Sequence, residues 1–516
     1  MEVIQLNSKL LKSILLSMLL VLCMSVTMAA EVTEDTTSEV TIPSTETTEE
    51  TTTEVSDTSC NCGCECDVTI PTMDVTTTQT QNINNTQNII EANDTTYDFS
   101  GTFTGVNLNY DNLNNVVFTS SNNDATFINS TITLSGTNIK VSNLKFNNTN
   151  TVGNPITITS SSNVLIDNND FDVYKNTQEE TYSINVINSD NVVITNNNLN
   201  MNGTPQGVNW SAGGVVEFSG IVFSNVNNSY IDSNILNLAN SVPAVMWDYS
   251  TMEAITVRSA SQNNVISKNK IDITGSDYIY GISTSENSKD LKICHNNVTM
   301  TGSNLVSGIQ LSSTNDSKVC SNKIIGTCTA ESGNTTSGEA FAYGITVLTY
   351  TWHPEASEAV GNIICNNDVT LDSTVAYAYE LSIADNTIIQ GNTATVTGNV
   401  VMALGIYNSS YCSITGNTFT VTGNTRTLDG SIYEAIWPVT TGIKIVDDGF
   451  NNTQNNSIIG NTIDVTDSNT SSLYDIILEN TNNTIITENY MTFVFLNPRI
   501  ADGGINTNIT SNYRLP

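Results

Sequence analysis

Val164-Leu165-Ile166-Asp167-Asn168-Asn169-Asp170-Phe171-Asp172-Val173 sets an Asn between two short apolar stretches. The core of the pattern is an apolar residue, two free positions, Asn, one free position and a second apolar residue. It returns as Ile194-Asn197-Leu199, Ile231-Asn234-Leu236, Ile266-Asn269-Ile271, Ile293-Asn296-Val298 and Val319-Asn322-Ile324. It continues as Ile364-Asn367-Val369, Ile389-Asn392-Ala394, Ile414-Asn417-Phe419, Ile458-Asn461-Ile463 and Ile486-Asn489-Met491. The steps between these Asn residues are 28, 37, 35, 27, 26, 45, 25, 25, 44 and 28. A base step of 25–28 with occasional insertions marks a repeat protein. Val141-Leu144-Phe146 keeps the apolar frame one step earlier, with Leu in the Asn slot.

Each unit carries a second apolar strand, often introduced by Gly, as in Gly220-Ile221, Gly281-Ile282, Gly308-Ile309, Gly344-Ile345, Gly405-Ile406 and Gly442-Ile443. Pro155-Ile156, Ser183-Ile184, Ala254-Ile255, Glu380-Leu381 and Asp475-Ile476 fill the slot elsewhere. Apolar and polar residues alternate with a period of two and are rich in Ile, Val and Thr, which predicts strand. Such short strands cannot bury a core alone, but stacked on like turns they enclose one apolar column. The Asn is expected at the bend between strands, in the left-handed conformation it tolerates, with its amide paired to the same amide one turn on.

These repeats resemble turns of the right-handed parallel β-helix of the pectate-lyase-like kind, over about residues 97–516. With its leader, Thr-rich spacer and Asn-rich turns, the whole chain is similar to the adhesin-like surface proteins of methanogenic archaea. The resemblance implies an all-β solenoid; it is weak for activity, because many functions use this fold.

Three regions are expected: 1–30 as a signal peptide or N-terminal anchor, 31–96 as a spacer, and 97–516 as the coil. Lys9 and Lys12 precede an apolar run from Ser13 to Ala30 that ends on Ala29-Ala30, as an export signal does. Residues 31–59 are almost all Thr, Glu, Ser, Val and Asp, too polar to offset the entropy of ordering. Cys60, Cys62, Cys64 and Cys66 alternate with other residues, whereas zinc fingers prefer two-residue gaps; disulfides fit the spacing better. The net charge of −35, with 16 Lys and Arg, argues against nucleic acid or anionic lipid as partner. Wall or membrane association is expected only through the N-terminal segment, and no cofactor is implied. Asn-x-Ser/Thr sites such as Asn209-Trp210-Ser211 and Asn297-Val298-Thr299 permit glycosylation.

The resemblance implies enzymes that act on acidic polysaccharides, and such chemistry would need its groups on the strand faces. Hydrolysis needs two carboxylates at the scissile bond, and a lyase needs a calcium-holding cluster with a Lys or Arg base. Downstream of the Gly slot, the first outward column reads Asn185, Val222, Thr256, Ser283, Gln310, Thr346, Ser382, Tyr407 and Lys444. The next reads Ile187, Ser224, Arg258, Ser285, Ser312, Leu348, Ala384, Ser409 and Val446. Neither column contains a carboxylate pair, and Arg258 and Lys444 lie several turns apart. Asp447-Asp448-Gly449 is the one adjacent acidic pair like that of a polygalacturonase, without that family's other elements. His295 and His353 are each expected to be surface or packing residues.

All four Trp residues, Trp210, Trp247, Trp352 and Trp437, fall in the insertions. Their rings are suited to stacking on sugars or to burying their own loops. The insertions carrying Trp210, Trp247 and Trp437, with Glu217, Asp248, Glu253, Asp429 and Glu434, are expected to form an acidic wall for neutral or cationic sugars. No catalytic residue emerges. The main expectation is therefore a non-catalytic cell-surface adhesin attaching to cells or glycans; the alternatives are a polysaccharide lyase or glycoside hydrolase, and a structural wall component.

Overall fold

The computed structural model describes residues 71–515, except 72, 85–88, 90, 150–152, 177–178, 205–207, 210–215, 241–247, 276–277, 330–339, 350–357, 424–439, 450–452, 468–472 and 495–496. The leader, the spacer, the Cys60–Cys66 cluster, His353 and all four Trp residues lie outside the described residues. Among the described residues every regular element is a strand, and no helix is long and apolar enough to cross a membrane.

The chain is a right-handed parallel β-helix. Its first paired strand, Gln79–Asn84, lies upstream of residue 97 and aligns in parallel with Thr95–Ser100. A representative turn has three strands: Val216–Asn227, Tyr230–Asp232 and Ile235–Asn240. Each aligns in parallel with its counterpart one turn on, in Asp248–Arg258, Val265–Ser267 and Lys270–Gly275. A turn presents too little apolar surface to fold alone, so the core is continuous through the stack. Phe127, Phe146 and Phe171 stack at 5.4 and 5.1 Å between ring centroids at the N-terminal end. Ile, Val and Leu continue the column, with Ile166, Ile194, Ile231, Ile266 and Ile293 wholly buried.

The Asn ladder runs from Asn169 to Asn489 through every repeat and gains one more member, Asn512. Each side-chain N–H₂ donates to the next carbonyl oxygen, as at Asn322–Asn367 (3.0 Å). That N–H₂ also reaches a backbone carbonyl of an earlier turn, Ile293 for Asn322 (2.8 Å). The bend differs from expectation in one respect. The left-handed residue is the one before the ladder Asn: Asn168, Asn196, Ser233, Lys268, His295 and Ser321 all have φ near +55°. The ladder Asn is therefore spared for bonding, and its neighbour makes the corner. His295 is one of these exposed corner residues.

Strand register corrects the column reading in two turns. Ile345 aligns with Tyr379 and Tyr379 with Leu404, so Ala378-Tyr379 and Ala403-Leu404 fill the slots assigned to Glu380-Leu381 and Gly405-Ile406. The first outward column thus reads Thr346, Glu380, Gly405, Lys444, and the second Leu348, Ser382, Tyr407, Val446, Glu479. The slot requires small size rather than Gly itself, so Gly405 is not its marker in that turn. A Cβ on Gly344 would stand 2.3 Å from the Ala378 carbonyl oxygen and 2.5 Å from Val369.

The period of two predicts one outward slot for Cys294, Cys320 and Cys365 in three successive turns; they do stack, but all are wholly buried. The sulfurs of Cys320 and Cys365 lie 2.9 Å apart. Cys412 lies in the apolar column, and burial pushes its thiol up to about 12.

Candidate active site

The Gly slot is followed by a second inward residue, so outward positions resume on both sides of it. Ala254 and Ile255 both lie in the core, which leaves Glu253 upstream and Thr256 downstream on the outer face. The upstream column aligns Tyr182, Ser219, Glu253 and Tyr280 in four successive turns. Glu217 stands two residues before Ser219 on the same face. The period of two that specifies the strands thus carries these chains to the outside.

These groups form two hydrogen-bonded sets, one around Glu217 and one around Glu253, which act on each other through charge. Arg258 Nη1 donates to Glu217 Oε2 at 2.8 Å, and Nη2 donates to the Tyr182 hydroxyl at 3.2 Å. The Tyr182 hydroxyl lies 3.1 Å from Glu217 Oε2 and 2.7 Å from Glu180 Oε2. Ser219 Oγ donates to Glu217 Oε1 at 2.9 Å. Thr256 Oγ1 donates to Glu253 Oε2 at 2.7 Å, and Ser283 Oγ donates to the same oxygen. Glu217 and Glu253 are only 7% and 8% exposed, which removes most of the water that would screen their charges.

Two carboxyl groups in adjacent turns therefore occupy unlike environments. Glu217 has a guanidinium against it. Glu253 has hydroxyl donors alone, and burial, then the charge of Glu217, push it up to about 7; the Ser283 and Thr256 hydrogen bonds and Arg258 act in the opposite direction. Tyr182 is held far above the ordinary phenol range, by burial and then by Glu217. Burial works against the Arg258 charge, yet Glu217 and Tyr182 outweigh it and raise its pKa. A proton donor beside a cation-held carboxylate is an acid–base arrangement.

Reading the strands only downstream of the Gly slot missed this pair. Expected at the acidic wall of the insertions, Glu217 and Glu253 are instead buried strand residues tied to Arg258 or to hydroxyls. The detectable signal was the residue before each Gly or Ala slot: Ser219, Glu253, Tyr280, Ser307 and Tyr343. Arg258 and Lys444 do not meet, as expected, but each pairs with its own carboxylate, Glu217 at 2.8 Å and Glu479 at 3.0 Å. Asp447 caps a turn by accepting from the N–H groups of Gly449 and Thr453 at 2.8 and 3.1 Å. Asp429 and Glu434, with the four Trp residues, lie outside the described residues. Among the described residues no group of three His, Cys, Asp or Glu side chains could hold a metal ion.

No protein-family profile matches the chain, and no curated protein matches it in sequence. Solved structures do. A point mutant of DFA-IIIase from Arthrobacter chlorophenolicus A6 shares 10% identity at a TM-score of 0.44, over 71% of this chain and 89% of that one. The A-module of the Azotobacter vinelandii mannuronan C-5 epimerase AlgE6 shares 11% at 0.39, over 72% and 92%. The tailspike of Escherichia coli bacteriophage HK620, in complex with a pentasaccharide, shares 11% at 0.44, over 79% and 73%. At such identities the likeness is one of fold. The expectation of a non-catalytic adhesin is nevertheless corrected. It rested on a strand face empty of carboxylate pairs, and that face holds one, Glu217 and Glu253.

Proposed function

We propose that this protein is a glycan-acting enzyme, a hydrolase, whose acid–base pair is Glu253 and Glu217. The observation that carries the proposal is the buried pair itself, one carboxyl without a cation and one gripped by Arg258. Glycoside hydrolysis needs such a division of labour: one group protonates the departing oxygen while the other serves the opposite face of the sugar. In this assignment Glu253 donates its proton to the glycosidic oxygen as that bond breaks. The carboxylate of Glu217 receives a proton from the water that adds to the anomeric carbon. Arg258 and Tyr182 hold Glu217 in place and keep its charge on the side where the sugar becomes positive. The apolar run at residues 13–30 supports export, so the substrate would be an extracellular glycan.

The test is release of reducing ends from neutral polysaccharides by the full chain and by Glu253→Gln and Glu217→Gln. Each variant is expected to lose roughly 100-fold or more in kcat; Glu253→Gln should keep its melting temperature, whereas Glu217→Gln, which strips Arg258 of its counter-charge, should lower it. Glu253 must be protonated to act, so the rate should fall as pH rises through about 7. Full activity in both variants would overturn the assignment.

A further inference from the structure

A second constellation lies further along the same face. Glu380, Gly405 and Lys444 stand in one column, and Tyr407 and Glu479 in the neighbouring one, separated by Val446. Tyr407 folds back over Gly405: a Cβ there would lie 2.8 Å from its ring and 3.1 Å from its hydroxyl. The missing side chain at Gly405 thus lets an aromatic ring lie between Glu380 and Lys444. Tyr377 and Tyr343 complete the surround, with ring centroids 5.6 Å apart at 71°. Lys444 is 1% exposed and bound to Glu479 at 3.0 Å. Glu380 is half-buried and has no hydrogen-bond or ion-pair partner among the described residues. Burial alone pushes it up to about 7.

The charges already present choose the ligand. An anionic group would meet two carboxyl groups and an ammonium that is already paired. A cation would meet Lys444 and an acid that burial favours as neutral. A neutral ligand with an apolar face and hydroxyl edges suits tyrosine rings beside a carboxyl that can donate or accept a hydrogen bond. We propose that Glu380, Tyr407 and the Lys444–Glu479 pair form a second site on this face, which binds neutral sugar residues. Glu380 hydrogen-bonds a sugar hydroxyl there, and Tyr407 supplies the platform. Four turns separate Glu253 from Glu380, roughly 19 Å at the inter-strand spacing. A glycan held at Glu380 is therefore a longer chain than the bond cleaved at Glu253 requires. The proposal rests on the reading of this face as glycan-acting.

The experiment is calorimetric titration of the full chain, carrying Glu253→Gln to prevent cleavage, with neutral xylo-, manno- and gluco-oligosaccharides from disaccharides upward. One oligosaccharide series should bind saturably, and added Glu380→Leu should weaken it roughly tenfold, the cost of one hydrogen bond. Tyr407 faces Glu380, Tyr343, Tyr377 and Glu479 surround Tyr407 in turn, and Lys444, whose pKa burial lowers, stands two strands from Glu380 in its column. Binding should weaken as pH rises through about 7 and become flat with pH in Glu380→Gln, which always donates. Equal affinity with and without Glu380→Leu would overturn the second site, as would an absence of saturable binding by every probe. In either case, loss of cleavage in Glu253→Gln alone would leave the first site standing; inactivity of the wild type with saturable, Glu380-dependent binding would overturn the first site alone.

Discussion

At the scale of single residues, the ladder Asn does more than tolerate a bend. Asn322 accepts from the Asn296 backbone N–H and side chain, both at 3.0 Å, and donates to Asn367 and Ile293. Replacing it with Leu keeps the volume and removes every one of these bonds in a dry interior. We expect Asn322→Leu to cost about 2 kcal/mol or more, because the Asn296 N–H is left without a partner. Urea denaturation would measure this; an unchanged midpoint would show that the stack closes without the ladder. Leu144 stands in the same slot where the ladder begins, and its own N–H is the first to donate to a ladder side chain, Asn169 (3.0 Å). The repeat was legible from sequence because this one residue type recurs at one spacing.

At the scale of the strand, the outer face is governed by the two inward residues at the Gly slot. That doublet shifts the alternation by one, so columns before and after it both face out. Reading one side of the doublet exposes Arg258 and hides Glu253, and taking Gly for the marker moves Glu380 and Tyr407 by two positions. Sequence spacing located the doublet at Ala254-Ile255 but not at Ala378-Tyr379 or Ala403-Leu404, because small residues other than Gly fill the slot there. Gly308 shows how small it is: a Cβ would meet the Gly344 carbonyl oxygen and Ile324, each at 2.6 Å. Gly308→Val should therefore force the strands apart and lower the melting temperature by several degrees or more, as overpacking of about 1–3 kcal/mol does. Cys412 provides a second check of register. Lying 1% exposed in the column, it should resist alkylation in the native protein and react once the chain is unfolded.

At the scale of the whole molecule, buried acids tie stability to pH. Burial raises Glu253 and Glu380 from 4.5 to about 7, and Asp475 from 3.8 to about 6 although Arg499 opposes it. A folded-state pKa above the unfolded value means that the folded chain binds more protons between the two. Stability is then lost as pH rises from about 4.5 through about 7. The melting temperature should decline over this window, and the Glu253→Gln, Glu380→Gln double variant should show a shallower decline. The net charge of −35 adds repulsion of the same sign, which the double variant retains, so the difference in slope is the quantity to compare. Parallel slopes would mean that neither acid is desolvated in solution.

The amino-acid order alone determined the stacked architecture. A recurring Asn at steps of 25–28 residues, between strands with a period of two, has few ways to bury its apolar side other than coiling on itself. Only the tertiary structure decided the candidate site. Tyr182, Glu217, Glu253, Arg258 and Ser283 come from four turns and are up to 101 residues apart, and no local spacing records their meeting. Parallel stacking brings equivalent positions of successive turns to neighbouring strands whatever the insertions between them. Chemistry on this face is therefore written across the stack, and the register of each strand, set by which residues are small enough to lie inside, selects the side chains that share it.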